Sequence, residues 1–268
     1  MDQRCIGVFD SGLGGLTAVR ELRRVLPKEN IVYFGDTGRV PYGTRSEATI
    51  VKYTRQDINF LKRFHVKMVL AACGTASSVG LPKLREEYPT LPLIGVVEAA
   101  SQAAVDRTKN GKIAVLATNS TVRSNSYGIE MNKLAPQVTV MGQACPMFVP
   151  LVENGYADSR VARLIAQEYL APVQEFGADT VILGCTHYPL LKRVIGEILG
   201  DGVTLIDVGA QAALRVAQLL RQQDMLGENT GEISYYVSDS VENFASLGSS
   251  FLHCKIQEHV EKIDIERF

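Results

Sequence analysis

The chain has no tryptophan, no Cys-x-x-Cys pair and no apolar run approaching the ~20 residues needed to cross a bilayer. Its charge is nearly balanced, at a formal −1 over 268 residues, which leaves no electrostatic basis for binding nucleic acid or an anionic membrane surface. The five cysteines (Cys5, Cys73, Cys145, Cys185 and Cys254) are odd in number and widely scattered, which argues against a disulfide framework or a structural zinc site. Free thiols in a reducing compartment are expected instead. The start, Met1-Asp2-Gln3-Arg4-Cys5, leads straight into an apolar run without the basic region and long apolar core of a signal peptide. A soluble, cytoplasmic protein is the expectation. The four histidines and scattered acids show no metal-ligand spacing.

What is present is an alternation of short apolar runs with helix-length amphipathic segments. Residues 5–9, 31–34, 68–72 and 93–97 read as buried strands, with helices over 16–26, 47–64 and 77–88. A second series follows, with strands at 113–117, 138–141, 181–183 and 204–206 and helices over 122–134, 160–176 and 190–199. This rhythm predicts an α/β protein with mainly parallel sheets flanked by helices. Because the rhythm occurs twice, two domains are expected, with a break near Pro92 and the small-residue stretch after Glu98. A helix over 211–222, a strand over 233–237 and a short tail cannot bury a core alone, so they are expected to return to the first domain. The expected division is residues 1–97 with 208–268, and residues 98–207. No flexible Gly/Ser linker separates the halves, so they should pack closely around a cleft.

Two stretches nearly repeat: Val69-Leu70-Ala71-Ala72-Cys73-Gly74-Thr75 and Val181-Ile182-Leu183-Gly184-Cys185-Thr186-His187. Each is a strand-like run ending on a cysteine, and strand ends are where an open α/β sheet places its ligands. A following helix N-terminus would lower a thiol's pKa from ~8.5 toward neutrality. Cys73 and Cys185 therefore read as a functional pair facing one small substrate. Cys5, Cys145 and Cys254 read as inert. A dithiol redox role lacks the local motif.

Asp10-Ser11-Gly12-Leu13-Gly14-Gly15-Leu16 follows the first strand and suggests a dinucleotide loop, with Asp36 after the next strand. The fingerprint fails because its third glycine falls on Thr17, and no Gly-Lys-Ser/Thr marks a phosphate loop. Two readings of Asp10 stay open: a cap on the next helix, or part of a site for a carboxylate ligand. The loop from Asp36 through Pro41, Tyr42 and Gly43 is by itself ordinary. Asp10, Glu153 and His187 are the ionisable groups that could serve the thiols; His65, His253 and His259 read as solvated or structural.

Together, Phe9 to Gly15, Asp36-Thr37 with Pro41-Tyr42-Gly43, Ala72-Cys73-Gly74-Thr75-Ala76-Ser77, Thr118 to Thr121, Val149 to Gly155 and Gly184-Cys185-Thr186-His187-Tyr188-Pro189 resemble the cofactor-independent aspartate/glutamate racemase superfamily. The resemblance spans residues 9–189 and is specific in order and spacing. It implies two pseudo-symmetric α/β domains with the site in the interdomain cleft. It also implies interconversion of L- and D-glutamate without pyridoxal phosphate or metal, the D-isomer feeding bacterial peptidoglycan. By the same resemblance Cys73 and Cys185 are the acid/base thiols, Asp10 assists Cys73, and Glu153 with His187 assists Cys185. Ser11, Pro41, Tyr42, Gly43, Gly74, Thr75, Thr118, Thr121 and Thr186 hold substrate, and a homodimer is expected. Related racemases, isomerases or decarboxylases of another small acid remain as alternatives. The family usually carries Asn where this chain has Gly74, which leaves a weakened enzyme or an amino-acid-binding protein as a further alternative. Asp207-Val208-Gly209 departs from a common Asp-Ser-Gly.

Overall fold

The computed structural model describes residues 2–256 and 260–268. Two sheets organise the chain. The first takes β1 (Ile6–Asp10), β2 (Ile31–Gly35), β3 (Met68–Ala71) and β4 (Leu93–Gly95), and then β9 (Ile233–Val237) and β10 (Val260–Lys262) from the C-terminal part, in the order β10-β9-β2-β1-β3-β4. The second contains β5 (Lys112–Ala117), β6 (Thr139–Ala144), β7 (Thr180–Leu183) and β8 (Thr204–Asp207), in the order β6-β5-β7-β8. Every pairing is parallel, as expected where helices cover the faces and the strands are near-continuous apolar runs.

The order β2-β1-β3-β4 repeats as β6-β5-β7-β8, which makes the two domains topological copies. In each, the chain leaves the first strand in one direction and returns on its other side. Such a reversal opens a crevice at the carboxyl ends of the strands, between β1 and β3 in one domain and between β5 and β7 in the other. Residues following these four strands are Ser11, Cys73, Thr118 and Cys185.

The helices are α1 (Leu16–Val25), α2 (Glu47–Lys62), α3 (Leu81–Leu84), α4 (Val96–Arg107), α5 (Asn119–Ser124), α6 (Ser126–Leu134), α7 (Phe148–Glu153), α8 (Arg160–Phe176), α9 (Lys192–Leu199), α10 (Val208–Gln222) and α11 (Val241–Leu252). Several begin on side-chain caps: Ser159 accepts the Ala162 N–H at 3.1 Å, and Asp207 accepts that of Ala210 at 3.1 Å. Each such cap contributes about 1 kcal/mol. Gly177 closes α8 at φ 74°, a left-handed position that favours glycine. One apolar core runs from one face of the first sheet, through α1, α4 and α10, into the second domain; a second cluster fills the other face of the first sheet beneath α2.

The local differences from expectation have physical causes. The fourth strand stops at Gly95, and the small-residue stretch after Glu98 is a helix, α4, wedged between α6 and α10. The helix expected over 122–134 is split where Asn125 turns left-handed at φ 51°. That expected over 77–88 is a π-helical turn (Ala76–Gly80), α3 and a final 3-10 turn. The expected short tail carries α11 and β10, and β9 pairs with β2. His259 lies outside the described residues. Among the described residues no helix is long and apolar enough to cross a membrane.

Candidate active site

The two crevices face each other around a cavity of about 370 Å³, within the range of small-molecule sites. Both Cys73 and Cys185 line it, as do Ser11, Pro41, Tyr42, Gly43, Gly74, Thr75, Thr118, Glu153, Thr186 and His187. Two residues singled out in the sequence lie just behind the wall: Asp10 and Thr121 are buried but do not line the cavity. Asn119, Val149, Pro150 and Tyr188 do line it, though nothing in the sequence singles them out individually.

The first-domain thiol stands at the end of β3, where the chain turns into the π-helical segment. Ser77 fixes that turn: its N–H donates to the Cys73 carbonyl at 2.9 Å, and its hydroxyl donates to the Ala71 carbonyl at 2.8 Å. Cys73 Sγ donates to Ser11 Oγ at 3.5 Å. Burial pushes this thiol up to about 12, and nearby Asp10 adds to the rise; the Ser11 hydroxyl and the Ala76 N–H pull the other way. The expected lowering by a helix start is thus overturned at Cys73, because desolvation outweighs the donors. Asp10 is itself pushed up by burial, against the opposing pull of His187, the Gly15 and Gly12 N–H groups and the Thr186 hydroxyl.

The second thiol follows β7. Cys185 Sγ lies 3.9 Å from His187 Nδ1, and His187 Nε2 lies 2.9 Å from Glu153 Oε1 at the end of α7. Burial alone would lower His187, but hydrogen bonds to Cys185 and Glu153 overcome it and raise it to about 10. Phe251 of α11 packs edge-on against the imidazole, with ring centroids 5.3 Å apart. No sequence signal pointed to that contact. Cys145 is buried outside the cavity, Cys5 is half-buried and Cys254 is exposed.

Glycines set how closely the domains meet. A Cβ on Gly14 would lie 2.1 Å from Thr186 Oγ1, and one on Gly43 would lie 2.7 Å from Thr118 Cβ. The Gly-rich turn after β1 therefore serves a close approach between loops. Of the two readings of Asp10, the helix cap fails, since α1 has no side-chain cap. Asp10 instead accepts the Gly12 N–H at 3.0 Å and the Thr186 hydroxyl at 3.3 Å, joining the two domains. A Cβ on Gly74 would lie 2.2 Å from the Gly184 carbonyl oxygen. The space expected for a substrate-binding amide is thus closed by backbone from the opposite domain. The second departure is simpler: Asp207 caps α10, and Val208 is buried in the shared core.

Among the described residues no group of three or more His, Cys, Asp or Glu side chains is arranged to hold a metal ion. Of the two buried thiols, one lies beside an acid and the other beside a His–Glu pair, groups that can take up or give a proton. The sequence pattern described as Asp/Glu/Hydantoin racemase matches residues 14–217. The chain belongs to this family. The glutamate racemase of Geobacter metallireducens is 42% identical over 268 residues, covering 99% of this chain and 98% of its own. That of Neisseria meningitidis serogroup A is 44% identical over 265 residues, covering 98% and 97% respectively. The crystal structure of glutamate racemase from Francisella tularensis in complex with D-glutamate superimposes with a TM-score of 0.93, at 38% identity and 100% coverage of both chains.

Proposed function

We propose that this protein interconverts L- and D-glutamate by proton transfer between Cys73 and Cys185, without a cofactor. One observation carries the reading: two buried thiols at corresponding strand ends of pseudo-symmetric domains line the same small cavity. The α-hydrogen of an amino acid is very weakly acidic. Inverting that centre needs a base on one face, an acid on the other, and oriented donors for the intervening carbanion. A thiolate and a thiol exchange these roles each time the reaction reverses. Cys73, pushed up by burial, rests as thiol, and Cys185 lies beside an imidazole favoured in its protonated form.

In the L-to-D direction Cys185 removes the α-proton and Cys73 delivers its own to the opposite face; D-to-L reverses this. Ser11, Gly43, Gly74, Thr75, Thr118 and Thr186, with Pro41 and Tyr42, form the polar wall that would hold the substrate. Thr121 supports Thr118, accepting its hydroxyl at 3.2 Å. The full-length similarity to glutamate racemases supports glutamate as substrate. The proposed context is a bacterial cytoplasm, D-glutamate supply for peptidoglycan, and a homodimer divided into domains of residues 1–97 with 208–268, and 98–207.

The test incubates metal-free and pyridoxal-free protein with each glutamate enantiomer in deuterated water, alongside aspartate and substituted malonates. Loss of optical activity with deuterium entering at the α-carbon of glutamate is expected. Binding of D-glutamate without exchange would replace this reading with the binding-protein alternative suggested by Gly74. Turnover of another acid alone would move the substrate assignment.

A further inference from the structure

Next to the cavity, three buried groups make a hydrogen-bond arrangement that fixes where a proton must be. Asp36, after β2, and Asp57, on α2, are both fully buried, and neither lines the cavity. Tyr42 Oη lies 2.5 Å from Asp36 Oδ2 and 2.9 Å from Asp57 Oδ2. A phenol has one proton to donate, and an ionised carboxylate can only accept. With both acids ionised, one of these contacts would press two acceptors together. The chain of three oxygens therefore requires a second proton.

The other partners say where that proton sits. Asp36 accepts from Arg39 Nε at 2.7 Å and from Ser238 Oγ at 2.8 Å. Among the described residues Asp57 receives, apart from Tyr42, only Arg39 Nη2, at 3.3 Å and on its other oxygen. Asp36 is thus the well-served acceptor. We propose that Asp57 is held as the neutral carboxylic acid, donating to Tyr42, which in turn donates to Asp36, and that this chain positions the Pro41-Tyr42-Gly43 wall of the cavity. Burial pushes Asp57 well above the usual carboxylate range, and the Asp36 charge adds to the rise, against Arg39 and Tyr42.

The ionisable groups facing Asp57 are Asp36 and Arg39 from the loop after β2, Tyr42 from the following turn and, more remotely, Asp10 from β1. Glu266 and Gln56 reach the cluster through Arg39, at 3.1 and 2.6 Å. Tyr53 stacks under the same guanidinium, 4.0 Å from its ring centroid. Asp57 is a positioning residue, acting on the cavity only through Tyr42. The significance for function rests on the racemase reading; the protonation state does not.

Two variants separate a neutral acid from a carboxylate. An amide can donate to Tyr42 and accept from Arg39, so Asp57→Asn should keep kcat/KM within about twofold of the parent. Asp57→Ala and Asp36→Ala each break the chain and should raise KM about tenfold or more, with kcat less affected. Infrared difference spectra should show a protonated-carboxyl band in the parent that Asp57→Asn removes. The folded protein favours protonated Asp57, so this contribution to stability is complete below the ordinary value of 3.8 and is lost as pH rises. The melting temperature of Asp57→Asn should therefore climb relative to the parent as pH increases. Equal impairment of Asp57→Asn and Asp36→Ala, absence of the band, or a pH-independent melting difference would each overturn the proposal. If the parent racemises nothing, the functional reading fails while the infrared and melting measurements still decide the protonation state. Should Asp36→Ala not fold, Tyr42→Phe replaces it as the chain-breaking variant.

Discussion

The two thiol neighbourhoods occupy the same place in two copies of one topology, yet their electrostatics are opposed. Around Cys73 an acid, Asp10, adds to the rise of the thiol, and the other contacts are a hydroxyl and a backbone N–H. Around Cys185 stands an imidazole braced by a carboxylate. The folds match because each half repeats the same alternation of buried parallel strands and covering helices. The charges differ because one or two loop residues determine them. A symmetric scaffold can thus set its two thiols in unlike surroundings, with an acid beside one and an imidazole beside the other.

Removing either thiol should break the comparison most severely. Cys73→Ser and Cys185→Ser should each lower racemisation by at least about a thousandfold, the scale of a lost general acid or base. Racemisation near the parent rate in either variant, followed by polarimetry, would show that the thiols do not act as a pair. Next is the domain contact beside Cys73. Gly74→Asn forces a side chain against the Gly184 carbonyl, and overpacking of this kind costs about 1–3 kcal/mol. A lower melting temperature and a fall of about tenfold in kcat/KM are expected; unchanged kinetics would mean that the contact relaxes freely.

A smaller effect is expected on the Cys185 side. Glu153→Gln removes a negative charge that helps to raise His187 from 6.5 to about 10. Stability from this shift is complete below 6.5 and is lost as pH rises to about 10. The variant should give up part of it, and its alkaline decline in L-glutamate turnover should move to lower pH by about one unit. An identical pH profile would remove Glu153 from the proton economy of Cys185. Cys254→Ser should be smallest, within about 0.5 kcal/mol in stability and without effect on rate. A loss equal to that at Cys73 would point to thiol chemistry outside the cavity.

How much of this was legible follows from how local each signal is. The strands of both sheets were readable because each is a short apolar run closed by a polar turn. The α4 segment was not: it is rich in alanine, and buried positions fall on several of its faces. Phe148–Glu153 is only six residues long and was missed as a helix. In the site, Cys73 and Cys185 stood out from the near-repeat itself. Glu153 and His187, 34 residues apart, were paired only through the family resemblance, and the structure places them 2.9 Å apart. The Asp36–Tyr42–Asp57 cluster was invisible, because it depends on a loop and a helix folding over one hydroxyl. The lowering expected for Cys73 failed since a sequence shows which donors are near but not how completely water is excluded.

The placement of β9 beside β2 also fixes an order of events during synthesis. All four strands of the second sheet lie between residues 112 and 207, so that domain can close while the rest of the chain is still in the ribosome. The first sheet must leave one side of β2 bare until residues 233–237 emerge, and Arg39 waits still longer for Glu266. The half that begins translation should be the last to become protease-resistant. Pulse-chase proteolysis of stalled nascent chains would show this as early protection of the second domain and late protection of the first. Simultaneous protection of both would mean that the shared core, and not strand order, governs assembly.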